Sequence, residues 1–223
     1  MASAREQLLQ MLAEKSFRLG NFKLSSGGAS DYYIDCRLTT LDAEGARLTG
    51  ETVLHEIRHR NWRADAIGGL TMGADPIVVA TSVISAQQGK PINGFLVRKA
   101  EKAHGTGQRI EGCREKPARV VIVDDVCTTG ASTIQAIEAA REHGFEIVGV
   151  LCLVEREEAG GRANVEKAAS PAPFVALFTA KEVRAAHLKN APPPIFAVSA
   201  KCDFCDRPAV TNVPGNRCEV HRP

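Results

Sequence analysis

Residues 120–132, VVIVDDVCTTGAS, run four apolar side chains into two aspartates and then into small hydroxyl residues around a glycine. Val120 to Val123 show no polar alternation, the mark of a strand buried on both faces, as in a parallel sheet covered by helices. Working outward, similar short apolar runs recur at 64–69 (ADAIGG), 92–98 (INGFLVR) and 146–154 (EIVGVLCLV), each leading into a loop or helix. The segments Pro76 to Ala86 and Ser132 to Glu142 read as crossover helices. Strands alternating with helices in this way predict an α/β fold, mainly parallel, with helices on both faces. Upstream, Ser3 and Glu6 have capping-box spacing ahead of Leu8, Leu9 and Leu12, so the chain opens with a helix. FKLSSGGASDYYIDCR (22–37) reads as a strand, a Gly/Ser turn and a second strand. A longer helix is expected from about Asp42 to His59, with Ala46, Gly50, Val53, Leu54 and Ile57 at three-four spacing.

The chain has 223 residues, enough for one α/β core with a small appendage. Its 28 basic residues nearly balance its 26 acidic ones, which argues against general affinity for polyanions. The N-terminal MASAREQLLQMLAEKSF is charged and lacks the apolar core of a signal peptide, and no run is long enough to span a bilayer. Three of the seven cysteines crowd the C-terminus beside a histidine. A reduced, cytoplasmic protein with one metal site is therefore expected, rather than a disulfide framework. APPPI (191–195) is the clearest break, and it suggests a main domain at 1–198 and a tail at 199–223.

In an open α/β sheet, ligands bind beyond the C-terminal ends of the strands, where Asp124 and Asp125 fall. The VCTTGAS that follows can converge backbone N–H groups and hydroxyls at the start of the next helix, an anion cradle. The stretch thus offers donors for a phosphate and carboxylates for hydroxyls, and a ribose 5-phosphate needs both. A Walker loop would need a Gly-Lys-Ser/Thr ending, which is absent. The competing reading, aspartates that merely cap a helix, would be favoured for an isolated Asp-Asp.

Residues 120–132 closely resemble the phosphoribosyl pyrophosphate (PRPP) motif of type I phosphoribosyltransferases. Three further segments resemble the orotate phosphoribosyltransferase family within that class: 22–37 its N-terminal signature, GFLVRKAEKAHGTGQRIEG (94–112) its catalytic loop, and GGLTMGADPIVVA (68–80) its pyrophosphate loop. The likeness covers roughly residues 1–180. It implies a type I phosphoribosyltransferase fold whose hood is formed by about residues 1–40 plus a C-terminal part. The implied reaction joins orotate to PRPP, giving orotidine 5-monophosphate and pyrophosphate on the route to UMP, with Mg²⁺ accompanying PRPP.

By the same resemblance, Arg98, Lys99, Lys102 and His104 supply positive charge to the leaving pyrophosphate, and Asp124 and Asp125 act beside the ribose. PRPP would also contact Thr71, Met72, Gly73, Val126, Cys127, Thr128, Thr129, Gly130, Ala131 and Ser132. Orotate would contact Tyr32, Tyr33, Thr128 and Arg156. The polar segment from Lys99 to about Pro117 would be a lid reaching into a neighbouring subunit's site, which implies a homodimer. On charge alone, that segment reads rather as a solvated hairpin whose Glu101, Glu111 and Glu115 pair with its bases, and it is the match to the family's spacing that favours the lid. Arg156 alone reads as well as a surface arginine paired with Glu157 or Glu158, and the tyrosines as core. One departure is Ser25, where many family members have a substrate-contacting lysine; Lys23 lies on the same face of an extended chain. Two other functions compete: a transferase for another base, and a PRPP-sensing regulator that binds nucleic acid through its tail.

In KCDFCDRPAVTNVPGNRCEVHRP (201–223), Cys202 and Cys205 form one C-x2-C pair, and Cys218 and His221 follow after twelve intervening residues. Four such ligands on two knuckle-like pairs fit a structural, tetrahedral Zn²⁺. A segment this short cannot build a core, so bound metal would supply its folding free energy. Its acidic residues Asp203, Asp206 and Glu219 argue against nucleic acid as a partner.

Overall fold

The computed structural model describes residues 2–23, 29–99, 109–116 and 118–190, and the backbone of 201–202 and 205–208. The chain divides into two compact units, 1–188 and 189–223. The first is built on a six-stranded sheet of order β5-β4-β3-β6-β7-β8. Its strands are β3 (Ala66–Leu70), β4 (Asn93–Val97), β5 (Ile110–Gly112), β6 (Arg119–Cys127), β7 (Glu146–Glu155) and β8 (Phe174–Thr179). All neighbouring pairs are parallel except β4–β5, which is antiparallel. The expected α/β class, a mainly parallel sheet with helices on both faces, is therefore present.

Strand β6 shows why its sequence has no polar alternation. Val121 and Val123 pack with α1 (Ala4–Met11), α3 (Ala43–His59) and α4 (Asp75–Gln87), while Val120 and Ile122 pack with α5 (Ala131–Glu142) and α6 (Gly161–Ala169) on the opposite face. Both faces are dry, so every position of the run is apolar. Local signals set the helix starts. Ser3 and Glu6 form a complete capping box, and the Asp42 carboxylate accepts the N–H groups of Glu44 and Gly45. Pro76 stands in the first turn of α4, where its missing N–H costs nothing.

Before the sheet, β1 (Phe17–Lys23) and β2 (Ala29–Ile34) pair antiparallel, Phe17 opposite Ile34, and a short α2 (Arg37–Thr40) follows. This N-terminal region is fastened to the far end of the sheet and to α7 (Ala180–Asn190). Arg5 Nη2 donates to the Leu177 carbonyl at 2.6 Å, and His187 Nδ1 donates to the Ala13 carbonyl at 2.7 Å.

Three features depart from the sequence reading. Ile110–Gly112, expected within the polar lid, is an edge strand whose Ile110 is buried, so the segment beyond β4 begins and ends on the sheet. Strand β8 and helices α6 and α7 extend the fold beyond Val154, the last residue read as regular structure. The compact units part after Leu188, ten residues before the expected boundary. In the second unit, β9 (Lys201–Cys202) and β10 (Cys205–Pro208) form an antiparallel pair with Cys202 directly opposite Cys205. Cys218 and His221 lie outside the described residues. Among the described residues, no cluster of three or more His, Cys, Asp or Glu could hold a metal ion, and no helix is long and apolar enough to cross a membrane.

Candidate active site

From β3 the chain crosses through α4 to β4 on one side, and from β6 through α5 to β7 on the other. The C-terminal ends of β3 and β6 therefore flank a topological switch point, where open α/β sheets form their ligand crevice. A cleft of 720 Å³ opens there, lined by Thr71, Met72 and Gly73 after β3 and by Asp124, Asp125, Val126, Thr128, Thr129 and Ser132 at β6 and its following loop. Lys99, Tyr33 and Arg156 complete the part foreseen in the sequence.

The loop after β6 is shaped to receive an anion. Gly130 takes a left-handed conformation (φ 81°) as N-cap of α5, and among the described residues no side chain caps that helix. Its first-turn N–H groups are thus left for a ligand, beside the hydroxyls of Thr128, Thr129 and Ser132. The loop is backed by α6: Asn164 Nδ2 donates to the Thr129 carbonyl at 3.2 Å, and a Cβ on Gly161 would lie 2.2 Å from the Thr128 oxygen.

The two aspartates sit against the β3 loop. Thr133 Oγ1 donates to Asp124 Oδ2 at 2.7 Å, the Asp125 N–H to Asp124 Oδ1 at 3.0 Å, and the Val126 N–H to Asp125 Oδ1 at 2.9 Å. Gly73 is there because nothing larger fits: a Cβ would stand 2.5 Å from Asp125 Oδ1. Burial first, and then the charge of Asp125, push the Asp124 carboxyl up to about 7, against the Thr133 hydrogen bond. Burial also raises Asp125, opposed by its backbone hydrogen bonds and by the nearby Arg37.

A stability prediction follows from that shift. The folded protein holds the Asp124 proton more tightly than the unfolded chain does. This contribution is complete below the ordinary carboxyl range and is lost as pH rises through about 7. Melting of the ligand-free protein, followed from about pH 5 to about pH 7.5, should show wild type losing stability relative to Asp124→Asn. Parallel curves for the two proteins would contradict the shift.

Several expected residues lie elsewhere. Arg98 does not line the cleft: its guanidinium faces Glu111 on β5 at 3.5 Å, and its N–H donates to the Arg109 carbonyl. That pairing is the hairpin alternative realised at one point, while its neighbour Lys99 faces the cleft. Tyr32 also turns away, into a second cavity of 530 Å³ that shares Thr128, Thr129 and Arg156 with the first. Cys127 is buried in the core, and Gly130 and Ala131 shape the loop without lining the cleft. Lys102, His104 and Ser25 lie outside the described residues.

Arg156 is no surface arginine. It is 6 % exposed, although it does pair with Glu158. The cleft also contains Lys23, noted in the sequence only for sharing a face with Ser25, and Ile34, Asp35, Arg37 and Leu70, to which the sequence reading gave no role. Asp35 holds Arg37 through two hydrogen bonds, 2.8 and 3.0 Å, and so presents a cation toward Asp125. Strand alternation was the available signal, because Tyr33 and Asp35 share a face of an extended chain.

Fold and site together define a phosphoribosyltransferase, and the family model for the phosphoribosyl transferase domain matches residues 50–169. The chain is 42% identical over 182 residues to the orotate phosphoribosyltransferase of Aquifex aeolicus, covering 80% of this chain and 97% of that protein. It is 44% identical over 174 residues to that of Streptomyces avermitilis, covering 78% and 93%. Among solved structures, Mycobacterium tuberculosis orotate phosphoribosyltransferase in complex with Fe(III) dicitrate superposes with a TM-score of 0.68 at 36% identity, covering 81% of this chain and 98% of that one. The same enzyme in complex with 5-phospho-α-D-ribosyl 1-diphosphate gives 0.63 at 29%, covering 82% and 93%. This chain belongs to the orotate phosphoribosyltransferase family.

Proposed function

We propose that the protein joins orotate to PRPP, releasing pyrophosphate and forming orotidine 5-monophosphate for pyrimidine synthesis. The observation that carries this reading is the meeting of an anion-binding helix start, a buried aspartate pair and a glycine loop at one switch point, with Arg156 on the same rim. The 5-phosphate would take the N–H groups of α5 and the hydroxyls of Thr128, Thr129 and Ser132. The ribose hydroxyls would donate to Asp124 and Asp125, and the pyrophosphate would lie along Thr71 to Gly73. Lys99, Lys102 and His104 would stabilise the charge that develops on the leaving group as the C1–O bond breaks. Orotate would sit between Tyr33 and Arg156, whose planar fork matches a carboxylate.

The donor set fits Mg²⁺ carried by PRPP. Asp124 and Asp125 bring two carboxylates to the cleft, and hard cations take carboxylate and phosphate oxygens. When bound, the ion would neutralise charge on the diphosphate. A screen of bases with PRPP and Mg²⁺ tests the assignment: orotate should be consumed while purines and uracil are not, and a preference for a purine would overturn it.

The same reading includes a cytoplasmic setting, consistent with the buried free thiols of Cys36, Cys127 and Cys152. It also includes a homodimer. Leu41, Val79 and Val83 on and beside α2 and α4 expose 71%, 58% and 50% of their surface, an apolar face suited to a second copy. A Zn²⁺ on Cys202, Cys205, Cys218 and His221 is supported by ligand spacing and by the hairpin register that sets Cys202 opposite Cys205. Native mass spectrometry tests both proposals: it should find a dimer carrying one zinc per chain, with the zinc lost in Cys202→Ser. A monomer, or a wild-type chain free of zinc, would contradict the corresponding proposal.

A further inference from the structure

Arg156 would be an unusual recognition residue if left to itself, because a long side chain at a strand end has many rotamers. It is instead fastened on one edge. Nε donates to the Tyr32 hydroxyl at 3.0 Å and to Glu158 Oε1 at 3.2 Å, and Nη2 donates to Ser30 Oγ at 2.8 Å. The Tyr32 hydroxyl in turn donates to Glu158. The Tyr32 ring lies under the guanidinium, 4.4 Å from Cζ, and stacks on Phe17 at 5.4 Å and 16°; Phe17 abuts His187 at 5.0 Å. A column of rings from α7 to β2 therefore supports the cation from below, and three oxygens hold its Nε/Nη2 edge. Among the described residues, Nη1 has no hydrogen bond, so the Nη1/Nη2 edge remains for a ligand.

We propose that Tyr32 is a positioning residue for base recognition: with Glu158 and Ser30 it fixes the guanidinium so that its second edge is presented to the carboxylate of a planar base. This rests on the orotate reading above and adds how the site selects an acidic base. It also gives Tyr32 a role different from that of Tyr33. Fixing the fork before binding removes the ordering cost that a free arginine would incur with each substrate. The neutral phenol, held up to about 12, stays a donor to Glu158 throughout the neutral range.

The test is Tyr32→Phe, which keeps the ring column and removes only the hydroxyl, with Ser30→Ala as a second variant that keeps every ring but also removes the Ser30 hydroxyl's hydrogen bonds with the Tyr32 backbone. KM for orotate should rise about tenfold in Tyr32→Phe, the scale of one hydrogen bond to a charged group, and by less in Ser30→Ala. KM for PRPP and the melting temperature should stay at wild-type values. An unchanged orotate KM in both variants would overturn the proposal. So would a parallel rise in both KM values with a fall in melting temperature, which would mean Tyr32 only supports the fold. A wild-type enzyme that does not use orotate at all would instead overturn the proposed function.

Discussion

Gly73→Ala should reduce kcat/KM for PRPP about a hundredfold while the protein stays folded. The added Cβ would lie 2.5 Å from Asp125 Oδ1, 2.9 Å from its Cγ and 3.4 Å from Asp124 Oδ1. Asp125 cannot swing aside freely, because its Oδ1 accepts the Val126 N–H. Either the carboxylate gives up that bond or the β3 loop backs out of the cleft, and both displace a group meant to touch PRPP. A shift of about 1 Å in such a group costs two orders of magnitude. Neither displacement reaches the sheet core, so the melting temperature should barely move. Steady-state kinetics with PRPP varied, beside a melting curve, checks this; wild-type kcat/KM would mean the loop does not work against Asp125.

Lys102→Ala should leave a different signature: PRPP still binds, while turnover falls about a hundredfold to a thousandfold. A cation that meets the pyrophosphate mainly as the C1–O bond breaks contributes to the transition state more than to the bound ground state. Lowered kcat with a nearly unchanged PRPP dissociation constant is therefore the expected pattern. Near-normal turnover would show that the leaving group is stabilised elsewhere, with Lys99, which lines the cleft, a candidate.

Much of this was legible along the chain. An apolar run with no alternation, ended by Asp124-Asp125, pointed to a doubly covered strand and a site beyond its C-terminal end, because burial and ligand position are both imposed by parallel sheets. What escaped was decided across the fold. Successive residues of an extended chain point to opposite sides. Of Tyr32 and Tyr33, only the second lines the cleft, and of Arg98 and Lys99, only Lys99 does. Sequence alone gave the pairs but not the phase. Arg37 needs Asp35 to aim it and Asp125 to meet it, 88 positions further along, and no local pattern carries that contact. Ile110–Gly112 is too short to show a period and is a strand only because β4 pairs with it. Phe174–Thr179 is an apolar run like the others that the sequence reading left unassigned.

The most direct test is to mix the purified protein with orotate, PRPP and Mg²⁺ and follow the loss of orotate absorbance. The absorbance should fall only when all three are present, with pyrophosphate released in equal amount. Orotate left unconsumed by a protein that still binds PRPP would contradict the assignment of this cleft to orotate.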